Sequence, residues 1–278
     1  MSADCECRYE VMPFRRSVEE AAEISTPLRL TVTASPKHGI DRSVGFALRL
    51  RGLGHRVTLH LAARMVESRR HLETILAQAA EGGIDDFFVI GGDVPAPRGP
   101  YGSAGELLDD LSGHPLRPAA IGVAAYPEGH PLIDDRRLEE ALRHKAELAT
   151  YLVTQICFDA DVLLAWLGQL RASGIALPLY VGAAGQVDRR RLLEISVRVG
   201  VGPSLRFLRK QHGVGRLLLG SGGALPRFQD AVEARRADPG LGIVGFHFFT
   251  FNELLATWRW QQSRCEHARP PALDAGSA

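Results

Sequence analysis

Ala120-Ile-Gly-Val-Ala-Ala125, then Tyr126-Pro-Glu-Gly-His130-Pro131, then a charged stretch from Asp135 to Ala149, then Leu152-Val-Thr-Gln155-Ile156: here a short β-forming run passes through a turn and a helix-length segment into a second β-forming run. Two such runs joined by a connection of this length read as parallel strands with a crossover helix. The same alternation extends in both directions. Strands are expected at Arg8–Met12, Leu28–Thr33, Val57–Leu61, Phe87–Ile90, Ala120–Ala125, Leu152–Ile156, Leu179–Gly182 and Ile243–Phe249. Helices are expected near residues 17–24, 41–53, 67–82, 103–112, 135–149, 160–173, 187–198 and 252–263, with room for further helical pieces between about 200 and 240. This is the pattern of an α/β chain folded as a single-domain (β/α)8 TIM barrel, spanning residues 8–263 between an N-terminal tail (1–7) and a flexible C-terminal tail (264–278). Punctuation agrees: Asp41 can cap the second helix and Gly54 follows it, Gly82-Gly83 ends the third, and Gly174 ends the sixth behind a stripe of Leu163, Leu164, Leu167 and Leu170.

At 278 residues, with 45% hydrophobic and 23% charged residues, the chain can bury one large core. Its formal charge of +1 selects for neither nucleic acid nor an anionic membrane, and Arg189-Arg190-Arg191 reads as a solvated helix face. No stretch is apolar enough to span a bilayer, and Met1-Ser-Ala-Asp-Cys-Glu-Cys lacks the basic and apolar regions of a secretion signal, so a cytoplasmic protein is expected. Four cysteines make no disulfide framework, and Cys5 and Cys7 have no companions at metal spacing, so no metal is expected.

Polar residues interrupt the apolar strand pattern at one kind of place. Glu10, Thr33, His60, Asp93, Tyr126, Gln155 and His247 each fall in or just past the C-terminal half of a different expected strand. In a parallel barrel all strand C-termini open on one face, so these side chains converge on one mouth. Gly220-Ser-Gly-Gly223 offers backbone amides for a phosphate, or simply a tight turn, and no Gly-x-Gly-x-x-Gly fingerprint follows a strand.

Three segments, Gly91-Gly-Asp93-Val-Pro95, Ala125-Tyr-Pro-Glu-Gly-His-Pro131 and Thr154-Gln-Ile-Cys-Phe-Asp159, resemble the Gly-Asp-x-Pro, Tyr-Pro-Glu-x-His-Pro and Thr-Gln-x-x-Phe-Asp motifs of methylenetetrahydrofolate reductases. Looser matches are Tyr9-Glu-Val-Met-Pro13, Thr31-Val-Thr33, Leu59-His-Leu61 and Phe246-His-Phe-Phe-Thr-Phe-Asn252. The resemblance implies an oxidoreductase of one-carbon metabolism and methionine biosynthesis. Such an enzyme reduces 5,10-methylenetetrahydrofolate to 5-methyltetrahydrofolate, with NADH or NADPH as reductant and FAD held at the barrel mouth. It implies Glu10 as the acid, Asp93 as the anion between flavin and folate, and Gln155, Asp93 and His247 toward the substrate. Thr33, His60, Gly92, Asp93, Tyr101, Tyr126, His130 and Lys145 would line the flavin. A homo-oligomer is left open.

Three departures bear on the cofactor. Gly91 stands where the family usually carries arginine, Glu253 where another arginine often follows Thr-Leu-Asn, and Gly182-Ala-Ala-Gly-Gln-Val replaces a Gly-Ile-x-Pro loop. Two alternatives therefore stand beside the flavoenzyme: direct hydride transfer from nicotinamide to folate without flavin, and a catalytically silent paralogue that binds folate or flavin in a regulatory or partner role.

Overall fold

The computed structural model describes residues 6–37, 39–186 and 224–267. Its eight strands are β1 (Glu6–Val11), β2 (Arg29–Val32), β3 (Arg56–Ala62), β4 (Asp86–Ile90), β5 (Ala120–Ala125), β6 (Tyr151–Thr154), β7 (Leu179–Ala184) and β8 (Ile243–Phe249). They pair in parallel in chain order and close into a barrel, β8 returning to β1 in the register Glu6↔Gly245 through Glu10↔Phe249. The described helices are α1 (Arg15–Ala22), α2 (Gly39–Gly52), α3 (Arg69–Glu81), α4 (Ala104–Ser112), α5 (Asp135–Leu148), α6 (Ala160–Ala172), α7 (Ala224–Arg236) and α8 (Leu254–His267). The expected (β/α)8 TIM barrel is the observed fold.

β5 and β8 have the expected boundaries, while β1 starts two residues earlier, at Glu6, and α8 runs on to His267. The helix expected at 187–198, the Arg189-Arg190-Arg191 face and the Gly220–Gly223 cluster lie outside the described residues. Asp41 does not cap α2. The helix begins at Gly39, so Asp41 sits within its first turn, where His71 Nε2 lies 3.1 Å from the carboxylate. Among the described residues no helix is long and apolar enough to cross a membrane.

Strand alternation sorts the side chains into two populations. One face, including Tyr9, Val11, Leu30, Val32, Leu59, Leu61, Phe87 and Val89, packs under the helices in the main core. The other face points into the barrel, and at its N-terminal end it carries charge. Arg8 of β1 donates to Thr58 (2.9 Å), Asp86 (2.7 Å) and Tyr151 (3.0 Å), and its guanidinium lies 4.2 and 4.4 Å from the ring centres of Tyr151 and Tyr180. Tyr151 also donates to Asp86, and Tyr180 to Glu6, each at 2.7 Å. Only the barrel interior lets residues of β1, β3, β4, β6 and β7 meet this way. The network forms a polar floor beneath the mouth.

Candidate active site

Glu10 lies one residue from the end of β1, with its side chain 19% exposed. Two buried imidazoles address the same oxygen of it: His247 Nε2 of β8 is 3.4 Å from Oε2, and His60 Nε2 of β3 is 3.7 Å away. Phe88 packs against His60, with ring centres 4.9 Å apart, and lies 6.3 Å from His247. Burial pushes the His60 pKa down to about 4; the Glu10 charge pulls it upward and His247 pushes it further down. His60 is therefore a neutral ring at pH 7. Thr250 Oγ1 donates to the Glu10 carbonyl, and Asn252 Oδ1 accepts from the Met12 amide at 3.1 Å, so the turn after β8 holds the end of β1.

Asp93 stands exposed on the β4–α4 loop. Its loop is fixed by Arg64, from the 3-10 turn after β3, whose guanidinium donates to the carbonyls of Val94 (2.9 Å), Gly102 (3.3 Å) and Pro95 (2.6 Å). Gly92 is required by backbone shape: its φ is +91°, and a side chain there would also press a Cβ to 3.1 Å from that of Ala62. The charge of Asp93 reaches Tyr126 and His130. Burial first and Asp93 second raise the Tyr126 pKa, while burial lowers that of His130 against the pull of Asp93. Tyr126 and His130 meet edge to face at 5.2 Å, so these three form a rim cluster between the β4 and β5 loops.

Gln155 follows β6, half-buried; its backbone amide donates to Ala125 and its own Oε1 accepts from Ile156, both at 2.8 Å. The carboxamide NH2 keeps hydrogen-bonding capacity for a ligand. Thr33 is tied down through its backbone, its amide donating to Val11 and its carbonyl accepting from Ser43. His247 is 1% exposed, so its placed contact is with Glu10.

Two residues of the expected flavin lining are engaged elsewhere. Tyr101 is buried and donates to Asp110 at 2.7 Å, with burial and then Asp110 pushing its pKa up to about 12. Lys145 of α5 donates from Nζ to the Ala124 carbonyl at 2.8 Å, and burial pushes its pKa down to about 8.

Sequence reasoning missed the positioning residues. Glu128 accepts from the Phe158 amide at 3.2 Å and so ties the β5 loop to the β6 loop; burial raises its pKa. Asp159 caps α6, accepting from the amides of Asp161 (3.0 Å) and Val162 (3.1 Å). The motif spacing itself was the available signal for both. Arg64 had none. Glu253 takes Arg16 in a two-pronged contact of 2.7 and 3.3 Å. Among the described residues no three His, Cys, Asp or Glu side chains are placed to hold a metal ion.

At the C-terminal side of the barrel, then, Glu10 stands beside two imidazoles, Asp93 lies on the loop that follows β4, and Gln155 directly follows β6. Two curated relatives match parts of the chain. Methylenetetrahydrofolate reductase 1 of Schizosaccharomyces pombe is 36% identical over 83 residues, 28% of this chain and 13% of that protein. Methylenetetrahydrofolate reductase 2 of Saccharomyces cerevisiae is 27% identical over 122 residues, 40% of this chain and 20% of that protein. The matched segments therefore span a fifth or less of these relatives. Among solved structures, a dihydropteroate synthase of Thermus thermophilus aligns over 96% of this chain and 95% of its own at 14% identity, with a TM-score of 0.47. The family model described as methylenetetrahydrofolate reductase matches residues 15–184, from the first residue of α1 to the last of β7, leaving Glu10 and His247 outside. That span is more than half of the sequence and contains all three motifs, and on it the chain belongs to the methylenetetrahydrofolate reductase family.

Proposed function

We propose that this chain reduces 5,10-methylenetetrahydrofolate to 5-methyltetrahydrofolate with a hydride drawn from NADH or NADPH. The observation that carries the reading is Glu10 itself, a carboxyl group at the floor of the mouth, partly shielded and backed by two imidazoles. Breaking the carbon–nitrogen bond of the five-membered ring needs a proton on the departing nitrogen and leaves a cationic iminium. Glu10 delivers that proton. The rim carboxylate of Asp93 stabilises the cation, and Gln155 donates to the edge of the pterin through its carboxamide NH2. Hydride addition to the methylene carbon then completes the methyl group, with one proton and one hydride consumed per turnover.

FAD, when bound, would supply the hydride, and Thr33, Gly92, Asp93, Tyr126 and His130 are the residues that would hold it. Its phosphate end has weaker support. Gly91 offers no side chain, Arg64 is spent on three carbonyls, and Lys145 is spent on Ala124. This favours a second reading, in which nicotinamide passes its hydride to the folate directly.

The absorbance spectrum of purified protein, measured with NAD(P)H oxidation on methylene folate, separates the routes. Flavin bands with turnover support FAD, and turnover by colourless protein supports direct transfer. Folate binding without turnover in either state would replace both with the silent paralogue.

A further inference from the structure

Besides Arg8 Nε in the floor, three polar atoms of the barrel interior nearer the mouth, Thr31 Oγ1, His60 Nε2 and His247 Nδ1, are buried with no hydrogen-bond partner among the described residues. Interiors leave few such atoms, and those left usually have a task. The last three belong to β2 and β8, which flank the strand that carries Glu10, and to β3, the next strand beyond β2. His60 and His247 both aim Nε2 at Oε2 of Glu10, and packing fixes their rings: His60 lies against Phe88, and His247 against Phe88 and, at 5.1 Å, Phe249.

We propose, resting on the reading of Glu10 as the acid, that His60 and His247 are positioning residues that clamp Glu10 Oε2 with two Nε2–H groups and so keep the acid's proton on Oε1, the oxygen left for the substrate. A neutral imidazole facing a carboxyl oxygen is stabilised as the tautomer that donates, because the other tautomer sets lone pair against lone pair. Burial keeps His60 neutral, so it meets this condition at pH 7. An oxygen that accepts from two N–H groups has no lone pair to spare for a proton, which must then sit on its twin. In that tautomer the unpartnered Nδ1 of His247 carries a lone pair, so the buried atom left open is an acceptor and not an N–H.

At 3.7 Å the His60 contact is longer than a formed hydrogen bond, so the clamp requires it to shorten by about half an ångström, a small adjustment for a side chain. Among the described residues no other charge competes at close range. Arg8, lower on the same strand, is taken up by Asp86, Thr58 and Tyr151, and Asp93 stands out on the rim. The described titratable groups facing Glu10 are thus His60 from β3 and His247 from β8.

Nitrogen-15 spectra of histidine-labelled, ligand-free full-length protein test the clamp without reference to turnover, with His60→Gln and His247→Gln supplying the assignments. At pH 8 both rings are expected as Nε2–H tautomers, and both signals are expected to move in Glu10→Gln. An Nδ1–H tautomer for either ring, or signals indifferent to Glu10→Gln, overturns the clamp and leaves the acid reading untouched. In turnover, His247→Leu is expected to lower kcat roughly 10- to 100-fold with KM little changed and to displace the pH profile, as a misplaced catalytic group does. His247→Gln, whose amide reaches the Nε2 position, is expected to restore most of that loss; equal losses in the two variants overturn the positioning role. Glu10→Gln with full turnover overturns the acid reading, and the purpose of the clamp with it, whatever the tautomers show.

Discussion

In the N-terminal half of the barrel interior, Arg8 finds Thr58, Asp86 and Tyr151, and Tyr180 finds Glu6, whereas in the C-terminal half Thr31, His60 and His247 each keep a buried atom without a partner among the described residues. The two halves share β1 and β3, but the floor draws on arginine, carboxylates, tyrosines and Thr58, while the mouth sets Glu10 against two histidines and Thr31. In the floor nearly every group is satisfied, Arg8 Nε being the exception, and the charges sit where neighbouring rings and hydroxyls enclose them. Such a closed network stabilises the fold and has little capacity left for a ligand. The upper half leaves capacity open at a solvent-facing carboxyl, as expected of a site whose last partners arrive with the substrate.

If that contrast is right, damage to the two halves has different consequences. Glu10→Gln is expected to cut turnover by roughly 10²- to 10⁴-fold, the range for loss of a general acid, while unfolding in urea shifts by less than about 1 kcal/mol. Asp86→Ala is expected to do the reverse. It strands the Arg8 guanidinium, 4% exposed and unable to lose its charge, and removes about 3–5 kcal/mol from the unfolding free energy. Comparable stability losses in the two variants would erase the distinction between floor and mouth.

The architecture was more legible in the sequence than the floor was. β5 and β8 are apolar runs with sharp turns at their ends, and their limits could be read directly. β1 began two residues early because Glu6 breaks the apolar pattern; its carboxylate is accommodated inside the barrel by Tyr180 and Arg29, residues far away in the chain. Arg8, Asp86 and Tyr151 stayed invisible for the same reason. Their contacts join positions 50 to 143 residues apart, and each alone reads as a strand-end polar residue. At the mouth, Glu10, Asp93 and Gln155 could be picked out because they interrupt strands at a repeated place. Tyr101 and Lys145 could be matched to a pattern, but their engagement with Asp110 and the Ala124 carbonyl depends on helix packing that spacing does not encode.

Acid sharpens the comparison further. His60 has a folded pKa near 4 against an ordinary 6.5, so between these values the unfolded chain binds the additional proton. The stability associated with its neutral state is fully present above pH 6.5 and is lost as the pH falls toward 4, by roughly 3 kcal/mol in all. Urea unfolding at pH 7.5 and pH 4.5 should therefore show a smaller acid-induced loss in His60→Gln than in the parent chain. The same slope in both would mean that the imidazole beside Glu10 is hydrated enough to charge freely.

The smallest effect concerns how the mouth is held, since among the described residues no ion pair like that of the floor anchors the end of β1. The turn after β8 does so with Phe251 at φ +50° and Asn252 at φ +68°, a left-handed pair without glycine. Asn252 tolerates that conformation better than most residues, and its Oδ1 accepts from the Met12 amide at 3.1 Å, two residues beyond Glu10. Asn252→Gly keeps the backbone shape and loses only the acceptor, an expected cost of about 1 kcal/mol in urea unfolding. Asn252→Ala loses the acceptor and also forces a Cβ into the left-handed region, adding about 1 kcal/mol more. The difference between these variants isolates the backbone strain from the hydrogen bond. If alanine and glycine cost the same, the turn is unstrained and Asn252 holds the end of β1 through its side-chain contact alone, beside Thr250.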